Sequence, residues 1–209
     1  MIGMKKLALL CCVAASFGAA GAQAKPIVVK GTANPYLAGQ PSGTTCCSGD
    51  TAPDESPTLA LSGLSAGETL TFKATGGFNY QGGAVAPTAD GFTAEPFSMT
   101  ADYNTGVSGP ANTFTAGLVG VFTDGTQPSG TAPAPLQNTV SFKKLAPGLN
   151  QIFWIGDGLT GTGTGARQKF TVPAGATTLY LGSSDGSGWY DNVGTVKVTI
   201  KVIPAPGVH

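Results

Sequence analysis

Histidine is nearly missing from this chain of 209 residues, because its one copy, His209, is the last residue. A Ser-His-Asp or Cys-His constellation needs an imidazole held by packing, and a chain terminus does not supply that. A histidine-rich zinc site is excluded on the same ground. Cysteine is also scarce. Of four, Cys11 and Cys12 lie near the N-terminus, which leaves the adjacent pair Cys46 and Cys47. Neighbouring cysteines cannot staple distant segments together. They are open to a vicinal disulfide, to intermolecular pairing in an oxidising exterior, or to a Gly/Ser/Thr-rich loop without a task, and composition favours the last. Charged residues make up 11% of the chain, against roughly a quarter in an ordinary soluble domain. Eleven basic residues balance eleven acidic ones. No basic excess is left to neutralise a row of phosphates, so a nucleic-acid partner is excluded.

What is plentiful is glycine (32) and proline (15), while hydrophobic residues still reach 41%. The glycine-proline share is nearly twice the usual one, and it fits a turn-rich β protein. Disorder couples low hydrophobicity to high net charge, and neither applies. The glycines show no three-residue period, which excludes collagen.

The first 24 residues read as a secretory signal peptide. Lys5 and Lys6 precede the apolar run Leu7 to Ala15, and Ala22-Gln23-Ala24 is a small-residue cleavage signal. The apolar run is too short to span a bilayer. Cleavage after Ala24 leaves residues 25–209 with nine basic residues against eleven acidic, a net charge of −2. That length predicts one domain with one core.

Strand signals follow. In Gly194 to Val202, Val196, Val198, Ile200 and Val202 alternate with Thr195, Lys197, Thr199 and Lys201, the period of a strand with one buried face. Glu68 to Ala74 repeats the device. Further strands are expected at Ile27 to Lys30, Thr58 to Ser62, Phe114 to Phe122, Thr139 to Lys143, Gln151 to Ile155, Gln168 to Val172 and Thr177 to Gly182, each bounded by turn formers. No window carries a long helical apolar stripe. Nine short strands predict an all-β fold, an antiparallel β-sandwich of jelly-roll or galactose-binding-like form. The segments 32–57 and 81–110 are long, polar loops, of the kind that are functional or mobile. The run Gly161 to Gly165 lacks the Lys-Ser/Thr and strand-to-helix context of a phosphate cradle, and reads as a flexible turn.

Chemistry concentrates in LYLGSSDGSGWYDNVGTVKVTI, Leu179 to Ile200. Asp185, Asp191 and Asn192 fall within eight residues between two strands. Calcium takes six to eight oxygen ligands from carboxylates, amides and carbonyls. These three side chains supply oxygens, and Gly186 and Gly188 let the loop curl so that carbonyls turn inward. A plain hairpin using Asp, Asn and Gly for their turn geometry is the alternative. Trp189 and Tyr190 sit in the same loop, either to stack on a sugar ring or to close the core. Phe153 and Trp154 read as core, and Asp157 as a turn residue. Asp50, Asp54 and Glu55 form a second acidic group, but nothing sets two carboxylates at the separation that glycoside hydrolysis needs. An enzyme is the least favoured class.

The stretch VPAGATTLYLGSSDGSGWYDNVGTVKVTI resembles the C-terminal part of the PA-IL-like calcium-dependent galactose-binding bacterial lectins. TLTFKATGGFNYQGG, Thr69 to Gly83, is similar to that family's earlier strand and tyrosine loop. A broader group of secreted bacterial proteins of unassigned role is also similar, through GTANPYLAG, GDTAPDESP, IGDGLT and the closing loop, over nearly the whole of residues 25–209. The resemblance implies Ca2+ held by the side chains of Asp185, Asp191 and Asn192 and by the backbone carbonyls of Trp189 and Tyr80. It implies an extracellular carbohydrate, galactose-like in the lectins, binding at Asp185, Trp189, Tyr190 and Asn192. The loop here is one residue shorter than the lectin's, Asp191 stands where the lectin has Asn, and the lectin's histidine- and glutamine-bearing galactose loop has no match.

The expectation is a secreted, extracellular or periplasmic calcium-binding lectin-like protein. The alternative is a structural component of a surface layer, sheath or fibre, a homo-oligomer in which calcium stabilises a loop. Similar proteins often carry a C-terminal sorting tail. This chain ends KVIPAPGVH, so release or retention by contacts is expected, with no transmembrane anchor.

Overall fold

Turn-punctuated alternation builds two facing sheets. The structure, a computed structural model, describes residues 25–100, 102–137 and 140–207. The signal peptide expected at residues 1–24 lies outside them. Nine strands form the sandwich: β1 (Ile27–Lys30), β2 (Thr58–Ser62), β3 (Thr69–Asn79), β4 (Leu118–Thr123), β5 (Lys144–Leu145), β6 (Ile152–Trp154), β7 (Lys169–Thr171), β8 (Thr178–Ser183) and β9 (Val193–Ile203). One sheet runs β1-β9-β3-β7-β5 and the other β6-β4-β8-β2. Every pairing is antiparallel except β7 with β5. The fold is therefore the all-β antiparallel sandwich expected. Among the described residues, no helix is long and apolar enough to cross a membrane.

The expected strands appear with shifted edges. The Phe114 to Phe122 segment breaks in two, because Ala116 takes a left-handed φ of 57°. Thr113–Thr115 then pairs with Phe92–Phe97 as a separate ribbon, and β4 begins at Leu118. The strand expected at Thr139 to Lys143 forms instead at Lys144–Leu145, and Thr139 itself lies outside the described residues. The Gly161 to Gly165 segment is a β-hairpin linking Leu159–Gly161 to Thr164–Arg167 rather than a loose turn.

The core between the sheets joins Leu70, Phe72, Phe170, Val196 and Val198 of one to Leu118, Phe122, Phe153, Leu179 and Leu181 of the other. Ring pairs reinforce it: Phe72 meets Phe170 edge-on at 5.0 Å, and Phe122 stacks on Phe153 at 5.0 Å. Such pairs each add about 0.5–1.5 kcal/mol beyond their burial.

All six residues of β4 are buried, so the second sheet is covered on both faces. Its outer side chains Val119, Val121, Ile152 and Trp154 form another cluster with Tyr36, Met99, Val107 and Trp189. The long segments 32–57 and 81–110 thus act as a third layer over the sandwich, and their buried apolar side chains fix them there. Trp154, expected in the core, is 3% exposed.

Candidate functional site

The site is placed by strand register. β3 and β9 pair over eleven residues, from Ile203 opposite Thr69 to Val193 opposite Asn79. The tyrosine turn begins at Tyr80, the residue after β3. The Asp191-Asn192 pair ends immediately before β9. Antiparallel pairing therefore sets the two regions side by side at one end of the sandwich. On the other sheet, β8 delivers its C-terminal end to the same pole, where Ser183 faces Leu118. The loop from Ser184 to Asn192 crosses from one sheet to the other.

The base of this crossing is pinned. Ser183 Oγ donates to Gly31 O at 2.6 Å, and Ser184 Oγ accepts from Gly117 N at 2.7 Å and donates to Phe114 O at 2.5 Å. Asp185 follows and is 5% exposed. Its Oδ1 accepts from Gly186 N at 2.5 Å. Gly188 takes a left-handed φ of 73°, which a side chain would strain. It opens the short 3-10 turn Trp189–Asp191, closed by Asn192 N donating to Trp189 O at 3.1 Å. Asn192 is 5% exposed and donates from Nδ2 to Gly31 O at 3.2 Å. Across from it, Asn79 Oδ1 accepts from Gln81 N and Gly83 N, at 2.7 and 3.1 Å, which curls the tyrosine turn.

Tyr80, Gln81, Asp185, Tyr190 and Asp191 line one open cavity of about 470 Å³, with Ser48 and Phe97 on its walls. Two of the side-chain oxygens named from the sequence are buried with no donor: Asp185 Oδ2 and Asn192 Oδ1. Burial pushes the Asp185 carboxyl up to about 6, and Asp191 adds to the rise. The Asn192 amide and the main-chain N–H groups of Gly186 and Ser187 offset part of it. Leaving a buried oxygen without a partner costs about 1–3 kcal/mol; of these two, Asp185 lines the cavity and Asn192 follows it in the same loop. Among the described residues, no three His, Cys, Asp or Glu side chains gather as a metal group. The donor set expected from the sequence is mixed, with two carboxylates, one amide and the carbonyls of Tyr80 and Trp189, and of these residues Tyr80, Asp185 and Asp191 line the cavity. That chemistry fits a hard cation, which prefers oxygen of every kind.

The two aromatics of the loop separate. Trp189 is fully buried, donates from Nε1 to Ser183 O at 2.9 Å, and meets Tyr36 edge-on at 5.8 Å. Its ring has no face to offer a sugar, so the expected sugar contact by Trp189 is corrected: the side chain holds the loop onto the core. Tyr190 is 60% exposed at the cavity. Asp191 is exposed on the cavity wall.

Sequence reasoning missed the partner behind the loop. Cys46 and Cys47 are disulfide-bonded to each other, and Cys47 is 4% exposed. Of the readings open from the sequence, the vicinal disulfide is the one formed. Its hairpin, Thr45–Cys46 with Asp50–Thr51, touches the back of the candidate ion loop. Asp50, placed by sequence in a separate acidic group, is fully buried and accepts from Tyr190 N at 3.0 Å. Burial raises it to about 6, offset in part by the N–H groups of Trp189 and Tyr190. That contact spans 140 positions, and nothing local in the sequence announces it. Compared with known proteins, the chain matches no family model and no curated protein.

Proposed function

We propose that this is a secreted calcium-binding protein whose ion pocket recognises an extracellular carbohydrate. The observation that carries the reading is the buried, donor-less Asp185 Oδ2 on the lining of the cavity shared by the tyrosine turn and the closing loop, with a second such oxygen, Asn192 Oδ1, in the same loop. A divalent ion there satisfies both oxygens and neutralises the charge of Asp185 and Asp191. The carbonyls of Tyr80 and Trp189 complete the protein's share of the shell, and sugar hydroxyls take the rest. The rival reading is calcium as a loop stabiliser in a surface layer or fibre, which calls for a closed shell. The open cavity and the exposed Tyr190 ring, an apolar face beside the ion position, favour the carbohydrate.

A glycan array run with and without chelator tests the proposal. Metal-dependent binding to a defined set of glycans is the expected result. Chelator-sensitive self-association with no glycan bound moves the reading to the structural role. Calcium itself is tested by thermal melting. An ion bound only by the folded chain adds about 2.7 kcal/mol at a hundred times its Kd, and a melting point indifferent to calcium removes the ion from the proposal.

A further inference from the structure

We infer that the Thr45–Thr51 hairpin, closed by the Cys46–Cys47 disulfide, is a clamp that sets the candidate ion loop, so that calcium affinity and the redox state of the pair are linked. This rests on the calcium reading above. The clamp grips the loop at two points on either side of Trp189. Gly188 N donates to Cys47 O at 2.8 Å, and Tyr190 N donates to Asp50 Oδ1 at 3.0 Å. Between these anchors lies the residue whose carbonyl is a candidate ligand, and Asp191 and Asn192 follow directly. The loop's own main-chain bonds at this point are short-range, from Asp191 N to Gly188 O and from Asn192 N to Trp189 O. They hold a turn together but do not fix where the turn stands. The hairpin adds two main-chain anchors there, beside the side-chain bonds of Trp189 to Ser183 O, Asn192 to Gly31 O and Tyr103 to Gly186 O.

The disulfide, in turn, holds the hairpin in its gripping form. Cys46 sits directly opposite Asp50 in the two-stranded pairing. The turn between them carries three successive left-handed residues, Cys47 (φ 56°), Ser48 (φ 72°) and Gly49 (φ 113°). The first two bear side chains, for which that region is disfavoured by about 1–2 kcal/mol each. A ring joining adjacent residues restricts Cys47 to few alternatives. A buried amide extends the connection: Asn34 Nδ2 donates to Asp50 Oδ2 at 3.1 Å and stands 3.4 Å from Cys46 Sγ. Asn34 and Asp50 are both fully buried. The pair, the amide, the carboxylate and the ion loop thus form one contiguous network. With the ring open, Cys47 is free to leave the left-handed region, and its carbonyl withdraws from Gly188.

The step is an ordinary exchange with a dithiol reductant. A thiolate of the reductant attacks Sγ of Cys46, the less buried residue of the pair, and the Cys46–Cys47 bond breaks. Cys47 leaves as a thiolate and takes a proton. The reductant's second thiol then displaces Cys46, which takes the second proton, so the pair gains two electrons and the dithiol becomes a disulfide.

The test is calorimetric calcium titration of the intact chain, oxidised and then reduced by a dithiol. The expected result is an affinity about tenfold lower after reduction, within the range typical of coupled sites. Linkage is reciprocal, so saturating calcium must make the pair harder to reduce by the same factor, about 30 mV for each tenfold. Thiol trapping in graded dithiol buffers reads that shift, which a purely structural disulfide does not show. Cys46→Ser with Cys47→Ser should bind as the reduced chain does and ignore the reductant. Should that variant fail to fold, the titrations of the native chain decide alone. An affinity that changes by less than about threefold on reduction, with no potential shift, overturns the clamp and leaves the calcium site standing. No calcium bound in either state overturns the site itself.

Discussion

Asp157 and Asp185 look alike in sequence. Each follows an apolar strand, and each is followed by glycine. The structure separates them by where their lone pairs go. Asp157 spends both oxygens on its own turn, accepting from Leu159 N at 2.8 Å and Gly163 N at 2.7 Å. Asp185 spends one oxygen on Gly186 and keeps the other buried and unbonded. The first arrangement is complete as it stands, and the second leaves one acceptor for the ion proposed above. What distinguishes a turn residue from an ion ligand is the acceptor capacity left over after folding, and sequence spacing does not report that.

The largest effect should come from breaking the unfilled side. Asp185→Ala is expected to weaken calcium at least 100-fold, about 2.8 kcal/mol, whereas Asp157→Ala should leave calcium affinity unchanged. Calorimetry on both variants measures the contrast, and equal losses would erase it. Next comes the filled side. Asp157→Ala strands two main-chain donors and should lower unfolding stability by about 1–3 kcal/mol in urea. Asp185→Ala should cost the metal-free chain less, because it gives up one main-chain hydrogen bond, from Gly186 N, and relieves a buried oxygen that has no partner.

The smallest effect is on pH. Asp185 and Asp50 are each held near 6 by burial, above an ordinary carboxyl at 3.8. The folded state therefore binds protons that the unfolded chain has already released. Their contribution is full below the ordinary value and is lost as pH rises through about 6. The metal-free chain should melt higher at about pH 5 than at about pH 7.5. Saturating calcium, which requires the ionised carboxylate, should shrink or reverse that difference. A metal-free melting point that climbs steadily to neutrality would contradict the burial of Asp185.

Much of the fold was legible because alternation announces strands. β3 and β9 carry their period in plain view, and their pairing then brings the turn after Asn79 to the end of the loop before Val193, where Tyr80 and Asp191 line one cavity. The buried strand β4 was legible only as an apolar run, since both of its faces are covered. What covers the outer face could not be read. Tyr36, Met99, Val107 and Trp189 come from irregular segments whose burial depends on contacts far along the chain. The same reason hid the role of Trp189. An aromatic beside an ion loop faces inward or outward according to a neighbour such as Tyr36, about 150 positions away.

The eleven-residue ladder between β3 and β9 carries one more implication. Asn79 stands opposite Val193 only because every rung back to Thr69 and Ile203 is in step. The closing loop is thus indexed like a vernier, and its zero is read at the far pole of the molecule. A one-residue deletion near Ile200, far from the loop, would slide Asn192 about 3.4 Å along β3 and turn its neighbours to the opposite face.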